Sequence, residues 1–320
     1  MYFSVSGVEV SPLIPPLVAF VVSFFTSMGG VSGAFLLLPF QVSVLGFTGP
    51  AVSPTNLVYN IVAIPSGVYR YLKEGRMAWP LTWVVIWGTL PGVGIGAVIR
   101  VRYLPDPGAF KLFVGLVLLY IGGRMLYDLS ARGLAAKART LEAEKRFNER
   151  LKEIRRRGGA GQTGAEARVK TLEFSLNRIS YEFYGEVFSF STWGVTLLSF
   201  VVGIIGGTYG IGGGAIIAPF FVAVFNLPVY TVAGAALAGT FLTSVFGVFF
   251  YQLIVPAFAP AYMTVAPDWF LGLLFGLGGL AGIYLGARMQ KFVPAKFIKV
   301  MLSVIILALA LQYIVQYWLQ

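Results

Sequence analysis

The chain has 320 residues, of which 57 % are hydrophobic and only 12 % are charged, and its formal net charge is +11. Soluble domains carry about 25 % charged residues, so this chain lacks the polar side chains to cover a water-exposed surface and is predicted to lie in lipid. It contains no cysteine and no histidine. That composition excludes disulfides and the usual histidine- and cysteine-based sites, so we expect no metal, no cofactor and no enzymatic activity.

The apolar runs predict an all-α polytopic integral membrane protein. They cover 12–46, 50–69, 79–99, 110–127, 190–226, 229–255, 269–287 and 297–318. Most of them can cross a hydrocarbon core of about 30 Å as one helix. The runs 12–46 and 190–226 are too long for one ordinary crossing and contain glycine clusters. We interpret both as broken segments that are either re-entrant or cross twice.

The two halves of the chain resemble each other. A shift of 180 residues superimposes identical residues of the two broken segments: Gly30, Gly33 and Pro39 on Gly210, Gly213 and Pro219. We therefore expect one transmembrane repeat over 1–128 and a second over 190–320, each with a broken segment followed by three transmembrane helices. A basic insert over 129–189 separates them.

Positive charge predicts the orientation in the cytoplasmic membrane. Loop 70–78, insert 129–189 and loop 288–299 are rich in Lys and Arg and are therefore expected in the cytoplasm. All three lie inside only if each repeat makes an odd number of crossings, so the repeats are predicted to be inverted. Within the insert, 141–157 predicts a charged helix and 168–190 a short β-hairpin. The net positive charge then reflects topology, and no nucleic-acid partner is expected.

The N-terminus and three arginines at helix ends lead to further predictions. Residues 1–11 contain no Lys or Arg, so no cleaved signal peptide is expected. Arg70, Arg100 and Arg288 stand at helix ends, where we expect their side chains to snorkel to the interface. The alternative for Arg100 or Arg288 is a role at a gate. Loop 100–109, which contains Arg100, is placed outside against the positive-inside rule.

The glycine clusters predict a site for a small anion. Short helices are expected over 34–40 and 215–221, and a helix that begins after a glycine cluster offers free N–H groups and partial positive charge. Polar residues behind each break can add hydrogen bonds. The predicted substrate-binding residues are Gly29, Gly30, Ser32, Gly33, Asn56, Asn60, Thr208, Tyr209, Gly210, Gly212, Gly213, Gly214 and Thr240. The alternatives are close helix packing for the glycines and interhelical or local hydrogen bonds for the polar side chains.

The carboxylates predict how transport is driven. All 13 Asp and Glu residues lie in loops, tails or helix ends, so no side-chain proton relay is expected at membrane depth. An anion that leaves a negative-inside cell gains about 2.3 kcal/mol per charge per 100 mV. This argument favours export over uptake.

One segment resembles a known family signature. Residues 207–219, a run of glycines followed by an apolar stretch and Pro219, resemble the signature of the sulfite exporter TauE/SafE family, and 27–39 resemble its weaker copy in the first half. The resemblance implies transport of sulfite, sulfonates such as sulfoacetate, or related organosulfur anions across the cytoplasmic membrane. The partners are then a small anionic substrate and the lipid bilayer.

The sequence leaves alternatives open. With inverted repeats around a central site, we expect a secondary transporter that works by alternating access. An anion channel of the same architecture is one alternative. A membrane scaffold that signals through insert 129–189 is another. The sequence also leaves open whether the protein forms a homo-oligomer.

Overall fold

The computed structural model describes residues 1–28, 32–73, 77–130, 169–183, 186–225, 227, 229–289, 293 and 295–319. The helices in these ranges are α1 (Ile14–Met28), α2 (Ala34–Ser43), α3 (Val52–Ala63), α4 (Pro65–Lys73), α5 (Trp79–Arg102), α6 (Pro107–Leu129), α7 (Thr192–Tyr209), α8 (Ile217–Val224), α9 (Val229–Leu253), α10 (Trp269–Met289) and α11 (Ala295–Leu319). The strands are β1 (Tyr2–Phe3), β2 (Val8–Glu9), β3 (Lys170–Phe174), β4 (Arg178–Phe183) and β5 (Glu186–Ser191).

In the described part of the chain, six helices are long and apolar enough to cross a membrane: α5, α6, α7, α9, α10 and α11. α1 and α2 are also apolar but shorter. Local signals set some of the boundaries, as at α6, where the Asp106 carboxylate accepts the N–H of Ala109 at 2.7 Å and Pro107 occupies the first turn. The predicted all-α polytopic membrane fold is confirmed.

Both long apolar runs contain two helices, as predicted. α1 and α2 lie within 12–46, and α7 and α8 lie within 190–226. Between α1 and α2, residues 29–31 fall outside the described residues, and they include two of the predicted site residues, Gly29 and Gly30.

The helix predicted over 50–69 is divided in two, which is a correction. α3 ends at Ala63 and α4 begins at Pro65. Proline lacks an N–H and restricts the residue before it, here Ile64, so a helix readily begins at Pro65 but does not pass through it unchanged. Its counterpart in the second half, α9, contains no proline and is continuous.

Helices of one half pack on helices of the other. α1 packs on α10 and α7 packs on α5, while α3 contacts α10 and α9 contacts α5. α1 and α7 are counterparts in the two predicted repeats, as are α5 and α10, so each contact recurs with the halves exchanged. The two halves therefore form one bundle.

Glycines allow the two exchanged helix pairs to approach closely. At seven glycines in these pairs, an added Cβ would collide with a carbonyl oxygen of the facing helix. They are Gly278, Gly282 and Gly286 of α10, Gly92 and Gly96 of α5, and Gly203 and Gly207 of α7. The glycine spacing of α10 is thus explained by packing, as expected for small residues at membrane helix interfaces.

A three-stranded antiparallel sheet, in the order β3-β4-β5, precedes α7. The alternating pattern over 168–190 predicted only a hairpin and missed the third strand, and the predicted repeat boundary at 189/190 falls inside β5. The hydroxyl groups of Tyr181 and Thr231 lie 2.7 Å apart, which docks the sheet on α9. Burial raises the pKa of Tyr181, so its hydroxyl stays protonated at neutral pH. The helix predicted over 141–157 lies outside the described residues.

A short hairpin of β1 and β2 closes on the start of α10. The backbone N–H and the hydroxyl of Ser6 both donate to one carboxylate oxygen of Asp268, at 3.2 and 2.9 Å. The other oxygen accepts the N–H of Leu271 at 3.1 Å and so caps α10. Phe3 stacks on Phe270 with ring centroids 5.9 Å apart. Asp268 is thereby held at a helix end, in agreement with the expectation for carboxylates.

Arg100 does not snorkel to the interface, which corrects the prediction for this residue. Its side chain is 0 % exposed although it lies in the last turn of α5. It donates hydrogen bonds to the carbonyl oxygens of Leu104 and Thr48. The α2–α3 loop, which contains Thr48, holds the guanidinium inside the protein. Arg70 and Arg288 have side chains outside the described set.

Candidate functional site

The second glycine cluster ends α7 in a left-handed turn. Gly210 and Gly212 have φ angles of 83° and 80°, a region that favours glycine because it has no Cβ. The N–H groups of Gly210 and Ile211 both donate to the carbonyl of Gly206, at 2.9 and 3.0 Å. The chain therefore leaves helical geometry at Gly210, as the glycine cluster predicts, and we refer to residues 206–214 as the glycine break.

The glycines of the glycine break all lie in close contacts. A Cβ added at any of its six glycines would come closer than 3 Å to another atom. Gly210 packs against Ser53 of α3, Gly213 against Thr89 of α5, and Gly214 against the carbonyl of Ala236 of α9. Close packing thus accounts for glycine at these positions, and any case for binding depends on the polar groups around them.

Asn56 joins the two broken segments. Its side-chain N–H groups donate to the carbonyl of Ala34, in the first turn of α2, at 3.0 Å and to that of Gly210 at 2.9 Å. Its side-chain oxygen accepts from the amide of Gln41 at 3.2 Å. The Asn56 side chain is completely buried. One amide of the first half therefore holds the glycine break of the second half against α2.

Asn60 lies one turn further along α3 and contacts the same break. Its N–H groups donate to the carbonyl of Ile211 at 3.0 Å and to the Ser244 hydroxyl at 3.2 Å. The side-chain oxygen of Asn60 is buried without a hydrogen-bond partner. The amides of Asn56 and Asn60 are thus on adjacent turns of one face.

Tyr209 makes a second link between the broken segments. Its hydroxyl donates to the carbonyl of Phe35, in the first turn of α2, at 2.7 Å. The structure therefore brings Tyr209, Gly210 and Asn56 together with the start of α2. Gly213 and Gly214 lie apart from this group, because they pack against α5 and α9.

Thr208 and Thr240 donate to helix carbonyls. The Thr208 hydroxyl lies 2.8 Å from the carbonyl of Ile204 and 3.1 Å from that of Gly96 across the helix interface. The Thr240 hydroxyl donates to the carbonyl of Ala236 at 2.8 Å. Thr208 thus shows both the local and the interhelical bonding that the sequence left as the alternative, and Thr240 shows the local bonding.

The first half contributes Ser32 and Gly33 beside α2. The Ser32 hydroxyl accepts the N–H of Ala34 at 3.3 Å. Gly33 is buried, and a Cβ there would collide with the hydroxyl group of Tyr59. The Tyr59 hydroxyl is 2.8 Å from that of Ser23. A compact cluster of polar groups thus lies at the start of α2.

The sequence of the chain matches a known family over nearly its whole length. The family model described as "Sulfite exporter TauE/SafE" matches residues 16–313, from α1 to α11. The chain belongs to the TauE/SafE family. It is therefore a multi-pass membrane transporter of sulfite-type anions. No curated protein and no solved structure gives a significant match to it.

In this TauE/SafE protein, side chains that the sequence analysis did not select also hold the glycine break. The N–H of Gly213 donates to the Thr243 hydroxyl at 2.9 Å, and the Tyr251 hydroxyl donates to the carbonyl of Gly207 at 3.2 Å. The Ser53 hydroxyl donates to the carbonyl of Thr208 at 3.3 Å. The signal for each is a polar side chain in an otherwise apolar helix, which indicates a helix contact as readily as a binding site.

The site contains helix ends and neutral polar groups. Among the described residues no three His, Cys, Asp or Glu side chains cluster in a way that could hold a metal. The hydrogen-bond donors come from backbone N–H groups, amides and hydroxyls. Neutral donors of this kind can bind an oxyanion by hydrogen bonds alone, without a positively charged side chain.

Proposed function

We propose that this TauE/SafE protein is a secondary carrier that exports a sulfur oxyanion, such as sulfite or a sulfonate like sulfoacetate, across the cytoplasmic membrane. The observation that carries the proposal is the bridge made by Asn56 between Ala34 of α2 and Gly210 of the glycine break. It joins the two broken segments at one point inside the bundle. A substrate site at the meeting of two broken helices is the arrangement expected of secondary transporters.

The predicted binding residues divide into donors and packing positions in this proposal. Asn56, Asn60 and the N–H groups at the start of α2 supply hydrogen bonds to the anion. The glycines of the break let the two backbones approach each other. In the described conformation the amides of Asn56 and Asn60 are occupied by carbonyls of the break. They become available to the anion when the break moves away from α3.

Inverted repeats supply the movement. The exchanged contacts, α1 on α10 and α7 on α5, are what a two-fold relation between the halves produces. The basic loops and the insert 129–189 share the cytoplasmic side if each half makes an odd number of crossings. Rocking of one half against the other then exposes the break to each side of the membrane in turn.

The charges of the protein and the substrate favour export. Asp268, the buried carboxylate at the start of α10, accepts hydrogen bonds from Ser6 and Leu271 and lies at a helix end. The proposal therefore gives it no role as a proton relay. An anion moving outward needs no proton relay, since the membrane potential supplies about 2.3 kcal/mol per charge per 100 mV.

The test is anion transport by the purified protein in proteoliposomes. Radiolabelled sulfite, sulfoacetate and thiosulfate are compared with acetate, with and without an imposed membrane potential. We expect saturable, potential-sensitive movement of the sulfur oxyanions and none of acetate. Equal movement of acetate, or no movement of any sulfur oxyanion by folded protein, contradicts the proposal. Unitary currents in planar bilayers would show that the protein is a channel and not a carrier.

A further inference from the structure

Arg100 is a buried cation that meets no carboxylate among the described residues. Its guanidinium donates to the carbonyls of Leu104 and Thr48, and its central carbon lies 3.7 Å from the centroid of the Phe110 ring. In the described part of the chain no carboxylate pairs with it. Its Nε–H is buried without any partner. A charge held this way is costly unless something of opposite sign visits it.

Arg100 continues the face of α5 that lines the glycine break. Thr89, Val93, Gly96 and Arg100 follow one another at intervals of three or four residues, which places them on one side of the helix. Thr89 packs on Gly213 and Val93 packs on Gly207. Gly96 accepts the hydroxyl of Thr208 at 3.1 Å. Arg100 lies four residues, about 6 Å along the helix axis, beyond Gly96 on this face.

Tyr251 of α9 contacts both the glycine break and the last turns of α5. Its hydroxyl donates to the carbonyl of Gly207 at 3.2 Å. It is fully buried, in one apolar cluster with Ala97 and Val101 of α5. A side chain that holds the break therefore packs on the same stretch of α5 that carries Arg100.

We propose that Arg100 coordinates the transported anion at a second position, one helical turn beyond the glycine break toward the end of α5. The planar guanidinium and its unused Nε–H fit an anion with two or more oxygens. The ligand class is a small sulfur oxyanion, so this inference rests on the proposed function. An anion leaving the neutral donors of the break meets a permanent positive charge before it reaches water.

The rival explanation is that Arg100 only ties the loop at Thr48 and the turn at Leu104 to α5. The two explanations differ in what they need from the side chain. A tie needs donors in the guanidinium geometry, whereas an anion needs the positive charge. Arg100→Gln keeps amide donors without charge, and Arg100→Lys keeps the charge without the planar fork. Arg102→Gln, at an exposed position two residues away, removes the same charge from the surface and is the matched control.

The experiment measures sulfite transport in proteoliposomes and the sulfite-induced rise in melting temperature in detergent for all four proteins. We expect Arg100→Gln to raise the KM for sulfite about tenfold or more, as for a lost hydrogen bond to a charged group. Arg100→Lys should raise the KM for sulfite by a factor several times smaller than Arg100→Gln does. Arg102→Gln should leave the KM within about twofold of the wild-type value. The melting temperature without sulfite reports any loss of the structural tie.

The outcomes separate this inference from the proposed function. An unchanged KM in Arg100→Gln overturns the inference while transport stands. The inference is also overturned if Arg100→Lys loses as much sulfite affinity as Arg100→Gln. Should Arg100→Gln not fold, a wild-type KM in Arg100→Lys overturns it. A sulfite-induced melting shift that depends on Arg100, without any transport by the wild type, keeps the Arg100 site and removes the carrier. Neither transport nor a melting shift removes both.

Discussion

The helices that follow the two broken segments, α3 and α9, use their polar residues differently. On α3, Ser53, Asn56 and Asn60 donate to carbonyls of the glycine break, which belongs to the other half. On α9, Thr240 and Thr243 donate to carbonyls of their own helix. Of these two helices, α3 is thus the one whose side chains donate hydrogen bonds to the other half.

This difference shows where movement between the halves would be resisted. If the halves rock against each other, the bonds made by α3 must break, whereas those made within α9 can travel with their own half. The donors of α3 are therefore expected to matter for stability and for transport alike. The hydroxyls of α9 are expected to matter mainly through what they accept. Substitutions at the two helices can break or sharpen this contrast.

The largest effect is expected for Asn56→Leu. The substitution leaves the carbonyls of Ala34 and Gly210 and the amide of Gln41 without their partner. Each buried orphan costs about 1–3 kcal/mol, so the free energy of unfolding should fall by about 3 kcal/mol or more, and sulfite transport should be lost. Denaturant unfolding in detergent micelles and proteoliposome transport measure the two effects. Gln41→Leu, which removes only one of these bonds, is the graded control and should cost about 1 kcal/mol. Full transport by a folded Asn56→Leu protein would show that the bridge has no part in the carrier.

A smaller effect is expected for Thr243→Val, which keeps the side-chain shape. It removes the acceptor of the Gly213 N–H in the glycine break. One buried donor left unpaired should cost about 1–3 kcal/mol. Thr82→Val is the matched control, because the Thr82 hydroxyl also donates to the carbonyl four residues earlier but holds no backbone N–H of a broken segment. Equal melting temperatures for the two variants would mean that the bond to Gly213 contributes nothing.

The smallest effect is expected for Thr240→Val, since within the described part of the chain its hydroxyl bonds only to Ala236 of α9. The free energy of unfolding should change by less than about 1 kcal/mol. The KM for sulfite then decides between the two interpretations of this residue. A KM close to that of Thr196→Val, whose hydroxyl makes the same local bond in α7, supports the structural one. A selective rise in KM without any loss of stability would place the anion at Thr240.

The sequence predicts the membrane helices well because their signal is composition over a whole crossing. Both glycine-broken runs contain two helices, and α10 packs through its glycines as its regular spacing indicates. The division of the 50–69 run was missed, since a proline in an apolar helix can either kink or end it, and packing decides which. The third strand, β5, was missed because its alternation merges into the apolar start of α7.

The candidate site was predicted as a region, and its contacts were not. Asn56 and Asn60 were selected as polar residues behind a break, but nothing in the sequence names Gly210 and Ile211 as their acceptors. Arg100 shows the reverse case. A basic residue at a helix end usually reaches the interface, and here the α2–α3 loop, which no local pattern ties to α5, covers it.

The exchange of helices between the halves also sets an order in time. Gly278 of α10 packs against Pro16 of α1, about 260 residues earlier in the chain. At a synthesis rate of about 5–20 residues per second, α1 is made about 10–50 s before the helix that covers it. During that interval α1 is surrounded by lipid or by the insertion machinery. Newly made protein therefore passes through a long-lived state in which α1 has not yet packed against α10. Mutations that shorten α1 or make it less apolar should impair membrane insertion and folding before they affect the finished transporter.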